Sequence, residues 1–220
     1  MRNFQQLARG LNVNSLLHEI TRQSDLWDQN TLRTACPGSP HSQVNDIWLR
    51  MGDPEIYQRL REPPFADQVK TLITNGMTEY QALYQVGKQI TDEHECIDFP
   101  AFAKLPQARQ IIFDLMRLVE GERLGRVLIT RLGPGKQIPP HVDGGDRSGV
   151  SGGTQITSYY SRYHVGLQVL PGVQFRAGNE YAPMISGDVW WFDNSQEHEV
   201  FNASADDRLT MIVDIRATPR

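Results

Sequence analysis

From Arg123 onward the chain is built of short β-rich runs separated by Gly, Pro, Asn and Asp, and this restricts its fold more than any other feature. The runs are Arg126 to Leu132, Tyr159 to Leu170, Val173 to Arg176, Asp188 to Phe192, His198 to Asn202 and Leu209 to Arg216. Strands at that spacing, each too short to bury an apolar face alone, imply a sandwich or barrel. The stretch Gly144 to Thr154 (GGDRSGVSGGT) has strands on both sides, so it reads as a mobile loop and not a domain linker. Trp190, Trp191 and Phe192 sit together in one run, where at least two of the three are expected in the core.

The first part of the chain follows a different period. Ser15 can cap a helix running to about Trp27, and Ala66 to Lys88 has helical spacing broken near Asn75-Gly76. Ala108, Ile111, Ile112, Leu115, Met116 and Val119 recur at i, i+3, i+4 and i+7, with Pro106 in the first turn, which predicts an amphipathic helix lying flat on a sheet. Gln43 to Met51 reads as extended. The change near Gly121 divides the 220 residues into a mixed, largely helical region over 1–120 and a β core over 121–220, the first framing the second.

Charge excludes some partners. With 22 Lys+Arg against 26 Asp+Glu, and no run of basic residues interleaved with aromatics, the chain has no pattern for tracking a phosphate backbone, so no nucleic-acid partner is expected. Met1 to Leu16 has neither the apolar stretch of a signal peptide nor the length of a membrane span, which makes a soluble, cytoplasmic protein the expectation. Cys36 and Cys96 are too few for a disulfide framework and are not spaced as a zinc pair, so both read as reduced thiols.

Three features carry chemistry. His141-x-Asp143 puts an imidazole and a carboxylate two residues apart, where an extended backbone aims both the same way. His198, on a later strand, completes two His and one carboxylate on one side of a metal, the arrangement of non-haem Fe(II) oxygenases, although zinc sites use similar ligands. Arg208, ten residues beyond His198 at the start of RLTMIVDIR, brings a guanidinium suited to a carboxylate, and a short turn between the two strands would place it in the same barrel mouth. Alternation points Glu197 and Glu199 away from that metal.

These residues lie in VLITRLGPGKQIPPHVD, SRYHVGLQV, FRAGNE and GDVWWFDNSQEHEVFNASADDRLTMIVDIR, and from about Val127 to Ile215 the chain resembles the aspartyl/asparaginyl β-hydroxylase family of 2-oxoglutarate dioxygenases. The resemblance implies a double-stranded β-helix (jelly-roll, cupin-like) fold, mainly β with α. It implies Fe(II), with 2-oxoglutarate and O2 as cosubstrates, and iron held by His141, Asp143 and His198. It further implies that Arg208 grips the C5 carboxylate of 2-oxoglutarate with Thr130 as a hydroxyl partner, and that Arg162 and His164 stand near the C1 carboxylate. The animal members replace the metal carboxylate with Gly, whereas Asp143 is retained here, as in the bacterial branch. Residues 1–120 match no domain of that family in this reading.

The substrate so implied is the β-carbon of an Asp or Asn side chain in a free amino acid, peptide or protein, with Gly144 to Thr154 as a candidate lid. Arg50, Arg131, Arg147 and Arg176 are open either to pairing with an acidic substrate or to solvation. Hydroxylation of another small molecule such as free proline, a non-catalytic metal- or 2-oxoglutarate-binding sensor, and a zinc or manganese enzyme using no keto acid are the competing readings.

Overall fold

The computed structural model describes residues 3–90, 95–143 and 160–217. In chain order its elements are β1 (Phe4–Ala8), α1 (Asn14–Arg22), β2 (Val44–Met51), α2 (Pro54–Arg59), α3 (Phe65–Thr74), α4 (Glu79–Gly87), β3 (Ile97–Asp98), α5 (Pro100–Lys104) and α6 (Pro106–Leu118), followed by β4 (Gly121–Leu132), β5 (Gln137–His141), β6 (Ser161–Gln168), β7 (Val173–Ala177), β8 (Glu180–Tyr181), β9 (Val189–Phe192), β10 (His198–Asn202) and β11 (Arg208–Ala217). Two antiparallel sheets result, one ordered β1-β9-β6-β11-β4-β2-β3 and the other β5-β10-β7-β8. The fold is therefore mainly β, a jelly-roll core of the cupin kind with helices outside it.

Strand alternation builds this arrangement from the sequence. Along β11, Leu209, Met211, Val213 and Ile215 join Val127 and Ile129 of β4, Val165 of β6 and Ile47 of β2 in one core, against Leu16 and Ile20 of α1 and Ala108, Ile111, Ile112 and Leu115 of α6. The amphipathic helix thus lies where its period predicts. Ile112 is fully buried there, and truncating it to Ala should cost about 2–5 kcal/mol. The opposite face of the same strands turns toward the smaller sheet. There Val44, Leu132, Phe175, Phe192 and Val200 form a second core, with Trp190 beside them and Trp191 packed on the helix side.

Several local details differ from the sequence expectations. Val13, not Ser15, precedes the first turn of α1, and the Asn14 amide donates instead to the Asn12 side chain at 3.1 Å. That helix stops at Arg22, and a 3-10 turn over Ser24–Leu26 covers the rest of the expected span. The break at Asn75-Gly76 holds, and the second helix starts on a capping box between Thr78 and Gln81. β1, β5 and β8 carried no strand signal. Pro139 and Pro140 obscure β5, which tolerates them because it is the outer strand of its sheet. β1 and β2, from the first 120 residues, pair directly with β9 and β4 of the last 100.

Candidate active site

β10 runs between β5 and β7 with His198 directly opposite His141, and their ring centroids lie 4.2 Å apart. In each ring Nδ1 lies 2.9 Å from a carbonyl two residues back, Pro139 for His141 and Gln196 for His198. A carbonyl only accepts, so Nδ1 carries the proton and each Nε2 keeps a lone pair toward the other ring. Asp143 Oδ1 stands 3.9 Å from His141 Nε2 and 3.8 Å from His198 Nε2. The three donor atoms form a group able to hold a metal ion, and donors that sit about 2 Å from a shared ion lie roughly 3–4 Å apart. His141 Nε2 is buried without a hydrogen-bond partner among the described residues, which fits a lone pair suited to a cation. These donors suit Fe(II), with one side of the ion left open.

Asp143 does not reach this position by alternation along a strand. β5 ends at His141 and Asp143 lies in the turn beyond it. Its Oδ2 is anchored instead by Arg162 Nη1 and by Asn194 Nδ2, the latter at 2.9 Å, which leaves Oδ1 facing the imidazoles. Arg162 is held in turn by Asp214, whose two oxygens accept from Nε at 2.7 Å and Nη2 at 2.8 Å. Burial by itself would raise the Asp143 carboxyl. The Arg162 guanidinium and the two histidines outweigh it and keep that carboxyl well below the usual carboxylate range. Burial, with help from the His198 charge, lowers His141 to about 4, so it stays a neutral ligand at physiological pH.

Arg208 begins β11 opposite Leu132 and is 1% exposed. Its Nε and Nη2 are buried without hydrogen-bond partners, and burial brings its pKa down to about 10. The connection from His198 differs from the short turn expected, because β10 belongs to the four-stranded sheet and β11 to the seven-stranded one, so residues 203–207 cross between sheets. Asn202 organises that crossing by donating to the carbonyls of Leu132 and Asp206 at 2.8 and 2.9 Å. Thr130 and Thr210 are paired on neighbouring strands beside Arg208, both buried, and Thr210 Oγ1 has no partner. His164 stacks on Phe175 at 5.0 Å with its Nδ1 unpartnered, and burial together with the Arg208 charge holds it well below 6.5.

All seven residues singled out in the sequence, Thr130, His141, Asp143, Arg162, His164, His198 and Arg208, line one cavity of about 110 Å³. Arg162 enters it chiefly as the partner of Asp143 and Asp214. Sequence reasoning missed Asp214 and Asn194, which orient Asp143 through Arg162 and directly. It also missed His41, whose ring meets His141 edge-on at 5.0 Å, and Arg126. Alternation could have found Asp214 and Arg126, since they share faces with Ile212 and Leu128, whereas nothing local marks Asn194 or His41. Glu197 and Glu199 pair with Arg176 away from the donors, and Arg50 and Arg131 have carboxylate partners in Asp98 and Asp207. The Gly144 to Thr154 loop and Arg147 lie outside the described residues. Among those described, no helix is long and apolar enough to cross a membrane.

Solved structures of similar shape include a 2OG-Fe(II) oxygenase family oxidoreductase from Burkholderia pseudomallei, 12% identical over 90% of this chain and 78% of that one, with a TM-score of 0.46. A Pseudomonas putida prolyl-4-hydroxylase is 14% identical over 100% and 95%, TM-score 0.47. The viral collagen prolyl hydroxylase of Paramecium Bursaria Chlorella virus-1, solved with 2OG, is 10% identical over 99% and 97%, TM-score 0.47. Residues 76–218 match the aspartyl/asparaginyl β-hydroxylase family. The match starts well before Val127, so part of the region expected to match no family domain is family sequence after all. A match over most of the chain, running through the strand that bears Arg208 and spanning His141, Asp143 and His198, has one meaning: the chain belongs to the aspartyl/asparaginyl β-hydroxylase family, and with it to the Fe(II)- and 2-oxoglutarate-dependent oxygenases.

Proposed function

We propose that this protein hydroxylates the β-carbon of an Asp or Asn side chain, free or in a peptide or protein, with Fe(II) held by His141 Nε2, Asp143 Oδ1 and His198 Nε2 and with 2-oxoglutarate anchored on Arg208. The observation that carries this reading is the condition of Arg208. A fully buried guanidinium without a hydrogen-bonded carboxylate is costly, and it becomes favourable when a ligand carboxylate arrives to take its free N–H groups. It faces the same cavity as the metal donors, and a five-carbon diacid is the ligand that links such a cation to a metal.

In this reading Arg208 takes the distal carboxylate by its guanidinium edge, and the hydroxyls of Thr130 and Thr210 lie alongside to complete its hydrogen bonds. The other end of the molecule would be left for the metal that His141, Asp143 and His198 would hold. His164, with a free Nδ1, and the remaining N–H groups of Arg162 are available to orient that end. Asp143 stays ionised because Arg162 and Asn194 hold its other oxygen, so its charge is delivered to the metal without reorganisation. Phe175, Phe192 and Ile212 wall the cavity and keep water from the reacting centre. When bound, Fe(II) with 2-oxoglutarate and O2 supplies the oxidation, in which one oxygen atom enters the substrate C–H bond and the other enters succinate as CO2 is released.

The test is anaerobic reconstitution with Fe(II), followed by 2-oxoglutarate titration of the weak visible charge-transfer band of the chelate. Wild type should show the band, His198→Ala should not, and Arg208→Ala should need far more 2-oxoglutarate. Admitting O2 with Asp- and Asn-containing peptides should then yield succinate and a product 16 Da heavier. Iron-loaded, folded protein that shows no band at any 2-oxoglutarate concentration would sink the proposal.

A further inference from the structure

A second cavity, of about 130 Å³, adjoins the first, and Arg33, Met51, Tyr80, Tyr84 and Arg126 line both. Its remaining walls are largely apolar, with Trp48, Tyr57 and Leu83 the principal side chains, and among the described residues its lining includes three arginines and no carboxylate. Arg33 is accounted for, since Asp46 accepts from its Nε and Nη2 at 2.9 and 3.0 Å. Arg61 lies on the exposed side. Arg126 remains: it has no hydrogen bond or ion pair with any described residue, and Asp214, which acts on it through space, has both oxygens committed to Arg162.

The position of Arg126 relates it to the metal donors. With Val127 opposite Val213 and Leu124 opposite Ile215, Arg126 lies at the level of Asp214, while Arg208 lies six residues back along the same strand, about 20 Å away. Two guanidiniums without an anionic partner among the described residues therefore line the cavity of the donor cluster, at levels six residues apart along the sheet. If the Arg208 end takes the cosubstrate, the Arg126 end faces whatever else enters. A volume of 130 Å³ approaches the roughly 150 Å³ apolar cavity known to accept a benzene ring, so the space beside Arg126 suits a hydrocarbon or aryl group. Leu32, Arg33, Trp48, Met51 and Tyr57 all precede residue 76, where the family match begins, so this wall is contributed by the part of the chain outside that match.

We infer that the prime substrate is an acid with an apolar body, its anionic group resting on Arg126 and its hydrocarbon or aryl portion filling the space between Trp48, Tyr57 and Leu83. The inference rests on reading the first cavity as the Fe(II) and 2-oxoglutarate site. An aspartyl side chain flanked by an aromatic or aliphatic group satisfies it, whereas a bare polar side chain leaves the second cavity unfilled. Because Arg126 lines both cavities, an acid held on it sits where the second cavity meets the one that holds the donors.

The experiment uses the protein loaded with Fe(II) and saturating 2-oxoglutarate in the absence of O2, so that the Arg208 end is blocked. Calorimetric titration with 3-phenylpropionate, its neutral amide 3-phenylpropanamide, and propionate separates charge from apolar bulk. The acid with the ring should bind at least tenfold more tightly than either comparator. Arg126→Gln should abolish its advantage over the amide, and Leu83→Trp, which fills the second cavity, its advantage over propionate, with 2-oxoglutarate affinity unchanged in both. The three-probe comparison on wild type needs no variant to fold. Equal binding of the acid and the amide there, or selectivity for the acid surviving in folded Arg126→Gln, overturns the inference. The preliminary 2-oxoglutarate titration keeps the two readings apart: failure at that step removes the iron site and the inference with it, whereas normal 2-oxoglutarate binding without preference for the acid removes the inference alone.

Discussion

Arg208 is buried and Arg162 partly so, both stand on inward faces of the larger sheet and both line the same cavity, yet their electrostatic circumstances are opposite. Arg162 is enclosed by carboxylates: Asp214 takes two of its N–H groups and Asp143 a third, and these anions outweigh burial and raise its pKa. Arg208 has no hydrogen-bonded anion among the described residues, and burial lowers its pKa to about 10. Arg162 belongs to an ion network that supplies anions for three of its N–H groups and that, on the proposed reading, sets a metal ligand in place. Arg208 stands in an incomplete one, stable only because the rest of the fold supports it. On the proposed reading, a binding residue shows itself by a missing anion and a positioning residue by anions already in place.

The contrast can be broken most forcefully at its complete end. Replacing Arg162 with Leu leaves Asp214 and Asp143 buried without their cation, and removing one member of such a network costs about 3–5 kcal/mol. Denaturant unfolding of the metal-free protein should show that loss, and a change under about 1 kcal/mol would mean the carboxylates are solvated and the network is weak. The same substitution at the incomplete end should act in reverse. Arg208→Leu removes an unpaired buried charge, so the ligand-free protein should melt at the same temperature or higher. Its 2-oxoglutarate affinity should fall about 100-fold, the effect of one charge-assisted bidentate pair. Destabilisation of the ligand-free protein by Arg208→Leu would reveal a partner for Arg208 that the contrast denies.

Asn194 offers a finer test, because it touches the network at Asp143 and nothing else in it. Asn194→Ala should leave stability within about 1 kcal/mol but weaken Fe(II) binding roughly tenfold, the usual effect of losing a hydrogen bond that orients a metal ligand. Unchanged Fe(II) affinity would show that Arg162 alone aims Asp143.

How far these roles could be read from sequence follows from the same contrast. The alternation in RLTMIVDIR separates the apolar face of β11 from the face bearing Arg208, and the 3.6-residue period of α6 places that helix on the apolar face. That His141 and His198 come together was legible because residue types able to ligate a metal are chemically distinctive. Asp143 was legible as a residue but not as a geometry. Its place comes from Arg162, Asn194 and Asp214, which are 19, 51 and 71 residues away along the chain and meet only because β9, β6 and β11 are neighbours in the larger sheet. β5 was hidden because two prolines lower its strand propensity and only its edge position permits them. The wall of Leu32, Trp48 and Tyr57 was invisible for another reason: residues from a loop, a strand and a helix share one cavity without sharing a periodicity.

The smallest effect expected concerns His164, which lies between the two ends and belongs to neither network. It is 6% exposed, is stacked on Phe175, and is held well below its ordinary 6.5 by burial and by the Arg208 charge. Its folded pKa therefore lies under its unfolded one. Above pH 6.5 both states are neutral at this residue and it adds no pH dependence. As pH falls through 6.5 the unfolded chain takes up a proton that the folded chain refuses, so stability is lost on acidification, by at most about 1.4 kcal/mol per pH unit for one such group. His41 and His141 are shifted the same way, so the metal-free wild type should lose stability more steeply than a single group allows. His164→Phe keeps the stack on Phe175 and removes one share, flattening the decline between pH 6.5 and 5.5 by about 1 kcal/mol in paired denaturant titrations. An unaltered decline would mean that His164 takes up its proton without unfolding the chain, placing an anion or water beside it and making the middle of the cavity part of the complete end.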